Sequence, residues 1–323
     1  MKSTQVCQLL GIRYPIFQAG IPWISNPKLV AAVSEAGGLG ILHPTAGMAA
    51  DGDVLENLAN NVKAVQRLTD KPFGMSFDLA DPNIGAMLDT AIEAGVRIAI
   101  TYGGSPALHT GHLRDNEVTA LHQVASVRHA RAAEAQGVQV VIAEGYEGGG
   151  PRGREDIPTM VLVPAVVDAV SVPVIASGGI TDSRGFLAAM ALGAQGVQMG
   201  TRFVVTHECI AHANYKNAVL MAIDTGTVVA GRYHVPTRLL KSGAALKLQR
   251  GEAETVPGGE ARDTWQESLG PERVRSALLE GDLGESVAWS GAGAGLITEI
   301  LGAAEVVETT VREADALINR LRS

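Results

Sequence analysis

The chain has 323 residues, of which 46% are hydrophobic and 4% aromatic, with 38 glycines and a formal net charge of -8. That length suits one large α/β domain, or a barrel with a smaller appendage, and supplies a full core. The acidic balance and the lack of a basic stripe exclude an ordinary nucleic-acid binder. No apolar run approaches the roughly 18 residues of a membrane span, and the N-terminus M-K-S-T-Q-V-C-Q-L-L lacks a secretory signal's apolar stretch. A cytoplasmic protein acting on small molecules, off the membrane, is expected. Cys7 and Cys209 are far apart and without metal-ligand spacing, so they read as reduced thiols and no metal site is expected.

From Tyr14 to Phe203, short β-branched runs alternate with helical patterns, the grammar of parallel strands joined by helical crossovers. The expected strands are Tyr14–Gly20, Leu39–Pro44, Pro72–Leu79, Val96–Gly103, Val118–Val124, Val138–Glu147, Pro173–Gly179 and Gly196–Phe203. Between them lie expected helices at Asn26–Ala36, Val54–Leu68, Ala86–Ala94, Ser126–Gln136, Ile157–Val170 and Asp182–Leu192. Capping residues open several of these, as Asn26 before Pro27, and glycine closes several, as Gly37 after Ala36. Eight such units in one run favour an α/β fold of the (β/α)8 TIM-barrel type over a doubly wound sheet. After Thr206 the pattern turns helical and polar through Arg250, then loop-like around Glu252–Asp263. We therefore expect a barrel from residues 1–205 and 283–323, with a small helical lid over residues 206–282.

Glycine clusters follow three consecutive strand ends of that barrel: A-E-G-Y-E-G-G-G-P-R-G from Ala143, V-P-V-I-A-S-G-G-I from Val172 and G-A-Q-G-V-Q-M-G-T-R-F from Gly193. Glycine lets main chain approach a ligand through dihedrals closed to other residues. TIM-type barrels collect phosphate-binding N–H groups on the loops after strands seven and eight, where Ser177, Gly178 and Gly179, then Gly200 and Thr201, stand here. One such motif alone reads as a tight turn; three in register read as one shared site.

These stretches, with Y-P-I-F-Q-A-G-I at Tyr14, A-G-G-L-G-I-L at Ala36, K-P-F-G-M-S at Lys71, D-I-P-T-M-V-L-V-P at Asp156 and T-V-V-A-G-R at Thr227, resemble the nitronate monooxygenase family. That family was once called 2-nitropropane dioxygenases, and it includes enoyl-acyl-carrier-protein reductase II and an NADH:quinone reductase. The resemblance covers nearly the whole barrel and implies non-covalent FMN, with NADH or NADPH as a candidate co-substrate. It further implies that Gln18, Ala19 and Gly20 run beside the flavin ring, with Ser76 where relatives often carry Asn. Gln123 stands where some relatives place Lys by the pyrimidine edge, and Gly148, Gly149 and Met199 complete the expected cofactor contacts. Glu144 reads as a cofactor contact, a helix N-terminus ligand, or a solvated or structurally paired carboxylate.

In many members of that family the glycine run continues into His, which acts as base or sits over the flavin. Here it reads Gly149-Gly150-Pro151-Arg152. Proline cannot accept a proton, so the family's acid/base role has no carrier at this position. The remaining rim candidates are His43, Tyr102 and His122, the last given weight because it adjoins Gln123. Arg152, beside the missing base, is a candidate contact for an anionic or thioester-linked substrate. Arg232, His234, Arg238 and Lys241, flanking Pro236, are candidate substrate or dinucleotide contacts, against an exposed helical face. Enoyl-thioester or quinone reduction, a phosphate-binding barrel lyase or isomerase, and a non-catalytic flavin carrier stay open as alternatives, with a homodimer as a candidate assembly.

Overall fold

The computed structural model describes residues 3–232, 235–254 and 270–322. Eight parallel strands close into a barrel: β1 Ile16–Gln18, β2 Leu39–Leu42, β3 Phe73–Asp78, β4 Ile98–Tyr102, β5 Thr119–Val124, β6 Val140–Glu144, β8 Val174–Ser177 and β9 Gly196–Met199. Every expected strand is present. β1 pairs with both β2 and β9, which seals the ring and leaves no free edge. The expected crossover helices form with it, among them Pro27–Glu35, Val54–Leu68, Val127–Ala135 and Ser183–Ala191. Asp53 caps the second of these by accepting from the N–H groups of Leu55 and Glu56, and Asp182 caps the fourth through Arg184 and Gly185.

Period-two alternation sorts the strand residues into two faces. Phe17, Leu39, Ile41, Ile98, Ile100, Leu121, Val140, Ile142 and Ile175 cluster with the N-terminal helix residues Val6, Cys7 and Leu10, an apolar interior plugged from below. Leu42, Met75 and Phe77 instead pack outward against Leu58, Val62 and Leu88. The next inward positions above the apolar layers are polar: His43, Ser76, Asp78, Tyr102, Gln123, Glu144, Ser177 and Gln198. The chain thus builds an apolar floor and a polar rim from one alternating pattern.

The segment after Thr206, expected to be helical, is mixed. It contains the helices Ala213–Leu220 and Gly243–Glu254, but also two antiparallel strands, β10 Thr227–Ala230 and β11 Thr237–Leu240. β11 pairs further with β7, the two residues Gly150–Pro151, so the glycine run becomes an edge of this small sheet. T-V-V-A and T-R-L-L are each too short to declare a strand, and their partner in the glycine run is remote in sequence. The expected loop over Glu252–Asp263 falls largely outside the described residues, as does His234. Among the described residues no helix is long and apolar enough to cross a membrane.

Candidate functional site

A cavity of about 1400 Å³ opens at the C-terminal ends of the barrel strands. This exceeds the roughly 300–1,000 Å³ of ordinary ligand pockets and gives room for two molecules together. Ala19, Gly20, Ser76, Gln123, Glu144, Gly148, Gly149, Ser177, Gly178, Gly179, Gly200 and Thr201 all border it, as do Pro151 and Arg152. Residues from strand ends around the whole ring therefore meet at one mouth. The late segment adds Pro236, Trp289 and Gly291 to the wall.

Gln18 and Met199 stay out of the wall because they sit on the outward face of their strands. The Gln18 carboxamide accepts from Ile41 N–H at 3.0 Å and donates to the Ser25 hydroxyl at 3.0 Å and to the Ala19 carbonyl. It braces the end of β1. Met199 packs in the strand–helix layer, and its carbonyl accepts from Ala19 N–H. Ser76 donates its hydroxyl to Gly20 O at 3.1 Å, and a Cβ on Gly20 would collide with that hydroxyl. Only glycine lets the β1 loop lie this close to β3.

The β8 and β9 corners present main-chain donors. Gly178 and Gly179 hold φ of 101° and 71°, which glycine alone adopts without strain. Among the described residues the N–H groups of Gly178, Gly179 and Gly200 donate to no main-chain carbonyl. The corner is fixed from behind by Thr159, whose hydroxyl lies 2.9 Å from Gly178 O and 2.9 Å from Glu147 Oε2. Glu147 also accepts from Thr159 N–H at the start of the helix Thr159–Val167. Glu147, not Glu144, is thus the carboxylate at a helix N-terminus. Gly291 N–H donates to Thr201 Oγ1 at 2.9 Å and ties the late segment to the same corner.

A polar belt crosses the barrel interior beneath the mouth. Gln198 Nε2 donates toward Ser177 Oγ at 3.4 Å and Gln123 Oε1 at 3.3 Å, and Gln123 Nε2 donates to Glu144 Oε2 at 2.7 Å. Burial pushes the Glu144 carboxyl up to about 7, against the opposing pull of the Arg152 guanidinium. Arg152 is itself buried. It donates Nε to Gly150 O at 3.2 Å and a terminal nitrogen to Tyr146 O at 2.7 Å, with Gly145 O at 3.4 Å. Its other terminal nitrogen is buried without a hydrogen-bond partner. Expected to face the substrate, Arg152 is turned mainly into the carbonyls of its own loop. Arg238 likewise donates to Tyr146 O at 3.1 Å and to Thr227 Oγ1 at 3.1 Å, while Arg232 and Lys241 are exposed.

The three rim candidates differ in aim. His122 is adjacent to Gln123 in sequence and therefore faces the other side of β5. Its Nδ1 meets Thr101 Oγ1 at 2.8 Å, and it borders the cavity where this extends toward His129. Burial, with His129 nearby, lowers its pKa to about 4. His43 and Tyr102 face the mouth itself and touch one another, Nε2 to hydroxyl, at 3.2 Å. Burial lowers His43 to about 3 and raises the Tyr102 phenol far above its usual value, with Asp78 and Asp81 adding to the rise. Both are neutral across the physiological range. Cys209 is a buried thiol pushed up by burial to about 11, so it is inert as a nucleophile.

The nitronate monooxygenase family profile matches residues 3–313. A Mycobacterium tuberculosis protein named (3aS,4S,5R,7aS)-5-hydroxy-7a-methyl-1-oxo-octahydro-1H-indene-4-carboxyl-CoA dehydrogenase is 31% identical, the match covering 96% of each chain. A probable nitronate monooxygenase of Staphylococcus saprophyticus is also 31% identical, over 98% of this chain and 99% of its own. FabK from Thermotoga maritima superposes with a TM-score of 0.90 at 38% identity, over 100% of this chain and 99% of that one. With its closed barrel, its glycine corners and these full-length matches, the chain belongs to the nitronate monooxygenase family of oxidoreductases.

Proposed function

We propose that the protein is an FMN-dependent oxidoreductase that holds the cofactor phosphate on the main-chain N–H groups of Gly178, Gly179, Gly200 and Thr201. The observation that carries this reading is the β8–β9 corner: unpaired glycine N–H groups, braced from behind, at the phosphate position of a TIM-type barrel. The cavity volume and the polar belt fit a flavin as well, since a heteroatom-rich ring needs both room and hydrogen-bond partners. When bound, FMN supplies hydride chemistry at its N5. The chain supplies placement. Ala19 and Gly20 form a narrow ledge held by Ser76, and Gln123 and Glu144 offer a neutral donor and a titratable carboxyl from the interior. Gln123 and Glu144 put no positive charge there, so a reduced anionic ring is less stabilised than beside a lysine.

Position 151 bears on the substrate. Pro151 borders the mouth but has no acid/base group, and its place on the β7 edge strand gives it a wall role. Hydride transfer to or from a thioester-linked or quinone substrate needs less from a base at that position than nitronate oxidation does. A relative named as an indene-4-carboxyl-CoA dehydrogenase, hence as acting on a CoA thioester, agrees with that reading. We therefore place NAD(P)H-linked chemistry on an anionic or thioester substrate ahead of nitronate oxidation. Anaerobic mixing of the FMN-loaded protein with NADH, NADPH or propane-2-nitronate tests the order. Flavin bleaching by a nicotinamide faster than by the nitronate is expected; rapid bleaching by the nitronate alone would reverse it.

A further inference from the structure

His43 and Tyr102 stand 59 positions apart in sequence, at the ends of β2 and β4, and meet only because β3 separates those strands by one position in the barrel. Their hydrogen bonds have one direction. Thr45 N–H donates to His43 Nδ1 at 3.2 Å, so Nδ1 offers its lone pair and the ring proton sits on Nε2. With Nδ1 thus unprotonated, Thr45 Oγ1, 2.9 Å from it and accepting from Trp23 N–H at 3.1 Å, can only donate to it, sharing that lone pair with the Thr45 N–H. Nε2–H then donates to the Tyr102 oxygen. The phenol is left with a proton and no acceptor for it among the described residues, at the wall of the cavity.

The relay is held under strain. Trp23, whose N–H starts it, has φ of 70°, one of two non-glycine residues in the left-handed region among those described. Gly47 N–H donates to Trp23 O at 2.7 Å and pins that conformation. Strain of this kind costs on the order of 1–3 kcal/mol and persists where surrounding structure enforces it, commonly at functional sites. Asp78, opposite Tyr102 in the strand register, does not neutralise the donor, because its carboxylate is turned to Ala80 N–H at 2.9 Å.

We infer that the Tyr102 hydroxyl, oriented by the Trp23–Thr45–His43 relay, is the hydrogen-bond donor to a carbonyl or oxyanion oxygen of the substrate. It stands on the arc of the rim across from the β8–β9 corner, so a substrate lying between the two is gripped at its polarised oxygen from the β4 side. A neutral donor that already accepts one hydrogen bond is preorganised for charge that develops on that oxygen. The same donor serves a nitronate oxygen or the enolate oxygen of a thioester. The inference rests on the reading of this cavity as the substrate site.

The test uses 4-nitrophenol as an oxyanion probe, titrated by calorimetry into the FMN-loaded protein over a series of pH values. The wild type should bind the phenolate and lower the probe's apparent pKa. Tyr102→Phe should weaken phenolate binding roughly 10- to 150-fold and abolish the pKa shift, the loss of one hydrogen bond to a charged group. His43→Leu, which leaves the phenol in place but unoriented, should lose part of both effects. FMN affinity, followed by fluorescence, should be the same in all three. Equal probe affinity and equal pKa shift in FMN-loaded wild type and Tyr102→Phe, or no probe binding by FMN-loaded wild type, overturns the inference. Failure of the wild type to bind FMN overturns the functional reading instead, and this inference with it.

Discussion

Glu144 is a carboxyl whose neutral form the fold favours, since burial raises it to about 7 even with Arg152 close by. The folded state therefore binds more protons than the unfolded chain between the usual glutamate pKa and about 7, and this residue's contribution to stability falls as pH rises through that window. His43 and His122 work oppositely, because their lowered pKa values make the folded state bind fewer protons than the unfolded chain at mildly acidic pH. Glu144→Gln removes only the first effect. In the cofactor-free protein, the stability difference between Glu144→Gln and wild type should grow by about 1–3 kcal/mol in favour of the variant from pH 5 to pH 8. Urea denaturation at several pH values measures it; a pH-independent difference would mean that Glu144 is ordinary. At position 151, Pro151→His places an imidazole at the mouth, and the exposed, edge-strand setting tolerates it. Nitronate turnover should rise by about 10²- to 10⁴-fold, the usual contribution of a positioned base. Steady-state oxygen uptake with propane-2-nitronate is the readout, and no rise would mean that a base at position 151 does not limit the reaction.

Among the elements, the loop from Gly145 to Arg152 is densely interlocked. Arg152 draws in the carbonyls of Gly145, Tyr146 and Gly150, Arg238 bonds Tyr146 again from β11, and the Trp289 ring packs where a Cβ on Gly150 would lie, at 3.2 Å. Arg152→Ala removes three charge-assisted hydrogen bonds and the filling of a buried space, although Gly145 O keeps the Gly148 N–H and Tyr146 O keeps Arg238, so it should cost about 1.5–3 kcal/mol of stability and weaken FMN binding together with it. Arg152→Lys should recover part of both, since an ammonium reaches fewer acceptors than the planar fork. Unchanged stability with a pure loss in kcat/KM would mean that Arg152 serves the substrate rather than the loop. The sequence made the glycine run visible as an element but concealed its partner: β7 is two residues long, and it pairs with a strand more than eighty positions away that reads as part of a polar helix. The same limit hid the late segment, whose Gly291 and Trp289 reach the mouth through contacts remote in sequence, with Thr201, β11 and the glycine run.

At the scale of the whole molecule, the barrel was legible because parallel strands covered on both faces are continuous β-branched runs bounded by glycine and proline, as in V-P-V-I-A-S-G-G. The candidate site was legible at Gly178, Gly179 and Gly200, which the structure brings to the wall of one cavity. It was less so where a side chain's face decides. Gln18, Met199 and His122 lie at the right strand ends but on the outward face, a distinction of one residue in register. Tyr102 and His43 show no spacing signal at all, because only strand order brings them together. The proposed chemistry depends as a whole on the cofactor. Its most direct test is the absorbance spectrum of the protein reconstituted with FMN and freed of excess ligand, paired with Gly178→Ala. A Cβ at Gly178 would meet Gly145 O at 2.9 Å in a backbone conformation that alanine resists. The account predicts a flavin spectrum at about one FMN per chain for the wild type and at least roughly tenfold weaker binding in the variant, in line with a backbone strain of about 1–3 kcal/mol. A wild-type protein that is folded yet retains no flavin and shows no affinity for FMN would contradict it.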